Sequence, residues 1–353
     1  MPIDTVDELR DHLQMAIEVE LTTIPPYLYA MYSIAEPSTD ATKLIRSVAA
    51  EEMLHATLMA NVLLAVGGEP RFYDPDVIPS YPCPLPHHVP ELVVDLAPCS
   101  PEVVEGVFLT IERPGTPGAP DEPDRWESQG QLYHALETAM RRLDDDIGIF
   151  ESPRRDRQLH DPHGYAVVKY DSATSGGLMI VDSIERAIDA TEVAIHQGEG
   201  LSDDRFADPD HAELTHYSKF SRILDDSRIG EIHNAIRNPT VDTLPEYLKP
   251  LALFSNALYS YLFIVMDRLF APDEPDRHHL VGTLHGTMVA LMAPVARHLM
   301  TMPVSESETA GPPFEYYEFA DVADAESELR ALGRPLADAY PELAPAINQL
   351  DRL

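Results

Sequence analysis

Apolar residues recur at helical spacing through much of the chain. In residues 4–34, Leu9, Leu13, Ala16, Ile17, Leu21, Ile24 and Leu28 mark one face, and Asp4 or Thr5 can cap the start. Pro25 and Pro26 fall inside that pattern and remove two N–H donors, which predicts a kink or bulge. After the turn at Glu36-Pro37-Ser38, a second stripe (Leu44, Ile45, Val48, Leu54, Leu58, Val62) predicts a helix over 40–66 that closes at Gly67-Gly68. Two long helices joined by so short a turn must lie antiparallel. Residues 67–175 read as a proline-rich crossover with short helices near 101–112 and 127–146 and a short strand near 165–170. A third long helix is expected over 176–200. A fourth is expected over 208–225, where Asp208-Pro209 supplies a cap followed by proline at the first helical position. Two very apolar helices follow within 244–301. The pattern predicts an all-α chain forming one domain over 1–353, a four-helix bundle with a long crossover and extra C-terminal helices.

Composition narrows the partners. With 25 basic and 60 acidic residues, the net charge of −35 argues against nucleic acid and against an anionic membrane surface. Two cysteines exclude a disulfide scaffold and a Cys-rich metal site. There is no run of 18 wholly apolar residues and no basic, apolar leader, so a cytoplasmic protein without a membrane span is expected. Its partner would be a small-molecule substrate, with homo-oligomerisation left open.

The chemistry lies in the acids on the apolar faces. Glu20 falls on the first stripe. Glu52 and His55 form a Glu-x-x-His on the second helix, and Glu213 and His216 form another on the fourth. Positions three apart on a helix share a face. The midpoint of Glu20 and Glu52 falls at Glu36, inside the turn, so antiparallel packing brings the two to one level. Glu199 and Glu213 have their midpoint at Phe206, and the pair Glu192 and Glu213 fits equally well, so spacing leaves the third-helix acid open between Glu192 and Glu199. One Glu from each of two helices and a Glu-x-x-His from each of the other two is a di-metal carboxylate arrangement. Carboxylates and neutral imidazoles suit a pair of divalent first-row ions, and the ions' charge offsets the acids buried with them. Tyr27, seven residues after Glu20, is either a hydrogen-bond or electron donor to such a centre or a core tyrosine. The remaining histidines, including His87-His88 and His278-His279, and the runs Asp144-Asp145-Asp146 and Asp203-Asp204 read as ordinary packed or solvated groups.

The run Leu13-Gln14-Met15-Ala16-Ile17-Glu18-Val19-Glu20-Leu21-Thr22-Thr23-Ile24-Pro25-Pro26-Tyr27-Leu28-Tyr29-Ala30 and the run Leu44 to His55, ending Glu51-Glu52-Met53-Leu54-His55, are similar to a known family. So are Ile78-Pro79-Ser80-Tyr81-Pro82, His196-Gln197-Gly198-Glu199-Gly200, His216-Tyr217-Ser218-Lys219-Phe220 and Ala310-Gly311-Pro312-Pro313-Phe314. Together these resemble the ferritin-like domain of the iminophenyl-pyruvate dimer synthase type, which also occurs within chromopyrrolate-forming synthases of the violacein and rebeccamycin pathways. The resemblance favours Glu199 over Glu192 as a ligand and draws in Glu112, of Ile111-Glu112-Arg113-Pro114, as an outer acid or a helix cap. Gln131 stands where relatives suggest an acid, and the large synthases carry much additional chain. The expected ligands are Glu20, Glu52, His55, Glu199, Glu213 and His216, holding two transition-metal ions, with iron the expected metal and dioxygen the co-substrate. The expected activity is oxidation of a small molecule such as an amino-acid-derived imine in specialised metabolism. The alternatives are iron handling, as in a ferroxidase, and a helical binding module without catalysis.

Overall fold

The computed structural model describes residues 3–116, 119–160, 177–198, 214–224 and 228–352. Helix α1 (Val6–Ser33) begins at a capping box in which the Thr5 hydroxyl accepts from Glu8 N–H at 3.2 Å and the Glu8 carboxylate accepts from Thr5 N–H at 2.9 Å. Pro25 and Pro26 sit within this single helical run. Pro26 deprives the Thr22 carbonyl of its usual donor, and the Tyr81 hydroxyl donates to that carbonyl instead at 2.8 Å. Helix α2 (Asp40–Ala65) starts at the Thr39 cap, and the turn after it passes through Gly67 at φ +77°, where a side chain would be strained. The proline-rich stretch beyond contains the two-residue strands β1 (Cys83–Pro84) and β2 (Val93–Val94), paired antiparallel.

Two crossover segments matter for the site. Helix α3 spans 101–111 and widens into a π turn at Val104–Phe108. Helix α4 (Gln129–Ile147) is capped by Gln131, whose Oε1 accepts from Glu127 N–H at 2.7 Å and Ser128 N–H at 3.3 Å, and it buries Leu132, Leu136, Met140 and Leu143. Gln131 thus closes a helix end rather than entering the site. Helix α5 (Ile184–Gly198) is followed in the described chain by α6 (His216–Ile223). The bundle closes as α1 on α2, α2 on α5, α5 on α4 and α4 on α1, while α6 packs on α2 and α3. Helix α4, a helix of the crossover with an apolar stripe of its own, thus packs between α1 and α5.

Two helix starts differ from expectation. Residues 177–183 are not helical, although 176–200 was expected to be one helix. The side chains of Gln158 and Asn61 hold this segment instead, Gln158 bonding Val181 N–H at 2.6 Å and Val181 C=O at 2.8 Å, and Asn61 bonding Met179 C=O at 3.0 Å. Thr215 has extended backbone and its hydroxyl accepts from Ser218 N–H, so α6 begins at His216. The expected strand near 165–170 and the start at Asp208-Pro209 lie outside the described residues.

Helix α7 (Lys249–Phe270) is buried against α8 (277–299) and α9 (Ala325–Ala339). Among the described residues, three helices are, by length and composition alone, long and apolar enough to cross a membrane, although the sequence has no wholly apolar run of that length. Burial within the fold accounts for two of them, at 89% of the apolar window in α2 and 83% in α7. In Arg277–Leu299 the figure is 44%.

Candidate metal centre

Carboxylates and imidazoles from four helices meet in the interior. Glu20, Glu52, His55, Glu112 and His216 are each at most 1% exposed. Glu20 comes from α1. Glu52 and His55, one turn apart on α2, face it across the antiparallel pair. Glu112 follows the last turn of α3, and His216 is the first residue of α6. They form two groups, Glu20, Glu52 and His55 in one and Glu52, Glu112 and His216 in the other, with the ligand atoms of each group within 4.8 Å of one another.

Glu52 belongs to both groups through different oxygens. Its Oε2 lies 3.0 Å from His55 Nδ1 and its Oε1 lies 3.2 Å from His216 Nδ1. His55 Nδ1 is also 3.8 Å from Glu20 Oε2, and His216 Nδ1 is 3.2 Å from Glu112 Oε2. The two imidazoles lie nearly parallel, with centroids 5.5 Å apart and 20° between planes. Among the described residues, Glu20 Oε2 and Glu52 Oε1 accept no hydrogen bond although both are buried. Buried carboxylate oxygens left in that state are costly. Cations between the groups would supply what they lack, so the residues fit a metal pair with oxygen and nitrogen donors.

The surroundings hold these carboxylates in place. The Tyr133 hydroxyl donates to Glu20 Oε1, and the Tyr27 hydroxyl donates to Glu112 Oε1 at 2.5 Å. Phe108 and Phe220 pack on the Tyr27 ring at 4.8 and 5.0 Å between centroids, which keeps that wall of the centre apolar. Burial raises both phenols well above their ordinary range, and the Glu112 and Glu20 charges push Tyr27 and Tyr133, respectively, further. Burial, together with the Glu52 charge, lifts Glu20 to about 7. Burial disfavours the charged form of His55, but the Glu20 and Glu52 carboxylates beside it outweigh burial and raise His55 to about 10. His216 is raised in the same way, its burial overcome by the charges of Glu52 and Glu112.

The expected site residues therefore divide. Glu20, Glu52, His55 and His216 come together, and Tyr27 reaches the centre through Glu112. Glu112 sits within a ligand group rather than beside it. Glu192 is half-buried on α5 and belongs to neither group; the α5 side chain that reaches the centre is Gln197, whose Oε1 lies 2.8 Å from His55 Nε2. Glu199 and Glu213 lie outside the described residues. Sequence reasoning missed Gln197, Tyr133, Glu51 and Lys219. Glu51, Gln197 and Lys219 lay within the family-like runs, and Glu51 was also the acid next to Glu52.

An apolar groove open to solvent lies along α1 and α2. Leu21, Ile24 and Pro25 of α1, Met53 of α2, Phe263 of α7 and Met288 of α8 contribute to its lining. Leu21 and Met53 directly follow Glu20 and Glu52, so the groove and the centre share the same turns of α1 and α2.

An all-α bundle with paired Glu and His groups at its centre defines the class. The Ferritin-like family model matches residues 13–225, more than half the chain, and the protein belongs to that family. It is similar to dichlorochromopyrrolate synthase of Lentzea aerocolonigenes, with 25% identity over an alignment of 398 positions that covers 93% of this chain. The chain spans 38% of that relative's length. The crystal structure of a ferritin-like protein from Caulobacter vibrioides shares the fold, with a TM-score of 0.57 and 22% identity over 82% of this chain and 96% of that one.

Proposed function

We propose that the protein is a di-metal oxidoreductase, with iron as its metal, that uses dioxygen to oxidise a small organic molecule. The observation that carries this reading is Glu52, whose two oxygens each address a different histidine inside two buried Glu/His groups. The pair of ions, when bound in reduced form, supplies the electrons for dioxygen reduction. Glu20 and Glu112 would each hold one of the ions together with Glu52. Tyr133 and Tyr27 orient them by donating to their outer oxygens, and the Phe108–Phe220 wall excludes water. The groove along Leu21 and Met53 seats the apolar part of the substrate. The similarity to a synthase that makes an aromatic product supports an amino-acid-derived imine as substrate class.

The test is anaerobic loading with ferrous iron, then exposure to air with an aromatic 2-imino acid generated in situ. Two irons per chain, oxygen uptake and oxidised organic product are expected. Uptake of many irons per chain would favour iron handling instead, and no oxygen uptake with two irons bound would refute the oxidase.

A further inference from the structure

Each histidine of the centre turns one ring nitrogen inward and one outward. In His55 the outward Nε2–H donates to Gln197 Oε1 at 2.8 Å, and in His216 the outward Nε2–H donates to Glu51 Oε2 at 2.9 Å. The geometry is the same, but one acceptor is a neutral amide and the other a carboxylate. Glu51 is fully buried, and Lys219, 1% exposed, donates to its Oε2 and to Ser47 Oγ at 3.0 Å. Lys219 lies one turn after His216 on α6, and Ser47 one turn before Glu51 on α2, so the four side chains join the two helices. The chain has four lysines. Burying one in an ion pair carries a desolvation cost that Coulomb attraction does not reliably repay, so stability alone explains the pair poorly.

We infer that Glu51 and Gln197 are positioning residues that present the inward Nδ1 of His216 and His55 to the two ions, and that their difference in charge makes the ion at His216 the more tightly held. An imidazole N–H donated to a carboxylate shifts electron density to the opposite ring nitrogen and makes it a stronger ligand, and donation to an amide does so less. Lys219 adds the complementary function. With Oε2 engaged by both His216 and Lys219, Glu51 remains a hydrogen-bond acceptor instead of swinging inward beside Glu52.

The inference rests on the metal reading above, and its test separates the two. Metal-free full-length protein is titrated with Co²⁺ by calorimetry, with cobalt absorption followed in parallel. The wild type is expected to bind two ions of unequal affinity, and His216→Ala to remove the tighter event. Glu51→Gln is expected to weaken the tighter ion by about 10- to 100-fold and leave the other unchanged. Gln197→Glu is expected to strengthen the weaker ion. If Glu51→Gln does not fold because Lys219 is left buried and unpaired, Glu51→Gln with Lys219→Met removes both charges and is expected to give the same result. Two ions of equal affinity in the wild type, a folded Glu51 variant with both affinities intact, or equal weakening of both ions would overturn the inference while leaving the metal reading in place. A wild type that binds no Co²⁺ would overturn both.

Discussion

Replacing Glu52 with Gln perturbs the centre at the one residue common to both groups. The amide keeps the side chain's shape and one oxygen but removes the negative charge that lies 3.0 Å from one imidazole nitrogen and 3.2 Å from the other. Two unit charges about 4 Å apart at an effective dielectric of about 20 interact by about 4 kcal/mol. That corresponds to about a thousandfold in affinity per ion, before the ions' double charge is counted. Glu52→Gln is therefore expected to lose both ions, whereas Glu20→Gln and Glu112→Gln each lose mainly one. The assay is metal content after desalting, followed by calorimetric titration of the metal-free variants, with circular dichroism to establish that each is folded. A folded Glu52→Gln protein that keeps either ion at wild-type affinity would refute the sharing of Glu52.

Three further outcomes follow from the same geometry. In the metal-free protein Glu20 is raised to about 7 from 4.5, so its contribution to stability is complete below pH 4.5 and is lost as pH rises through 7. The loss amounts to about 3 kcal/mol. His55, raised to about 10, adds a loss continuing from pH 6.5 through 10. Glu51, held at about 2 because its bonds to His216 and the Lys219 charge overcome burial, acts oppositely, its contribution lost only as pH falls from 4.5 through 2. Thermal melts across pH should show this decline in metal-free protein, and metal binding near pH 7 should release protons, measurable by calorimetry in buffers of different ionisation enthalpy; a flat metal-free profile from pH 4.5 to 10 contradicts the assignment. Gly311→Ala would set a Cβ 2.2 Å from the hydroxyl of the buried Tyr29, which donates to Ile236 C=O, and should cost about 1–3 kcal/mol in a denaturant melt without changing metal content. Tyr27→Phe removes the donor to Glu112 and should weaken the ion at Glu112 and His216 by about 1.5–3 kcal/mol while sparing the ion at Glu20 and His55; unchanged titrations would show that the hydroxyl does not matter.

What the chain discloses about itself follows from how local each feature is. Glu20, Glu52 and His55 lie in phase with long apolar stripes, and a three-residue spacing on an unbroken helix places Glu52 and His55 on one face without knowledge of any partner. Glu112 follows a short helix widened by a π turn, so no period carries register to it, and only the family-like run around it gave notice. Glu51 lies about 100° around α2 from Glu52, and its role depends on α6, whose docking no local pattern encodes. The same holds for Gln197, a neutral side chain noticed only as part of a family-like run. Helix α4 was legible as a helix from its stripe, but its place between α1 and α5 is a non-local choice. The start of α6 turned on Thr215, whose hydroxyl caps the helix at His216.

The most direct measurement is a crystal of the iron-loaded protein with anomalous scattering recorded at the iron edge. Two peaks per chain are predicted, one among Glu20, Glu52 and His55 and one among Glu52, Glu112 and His216, with Glu52 touching both. A single peak, none, or iron bound elsewhere while these side chains bond only to one another would contradict the account.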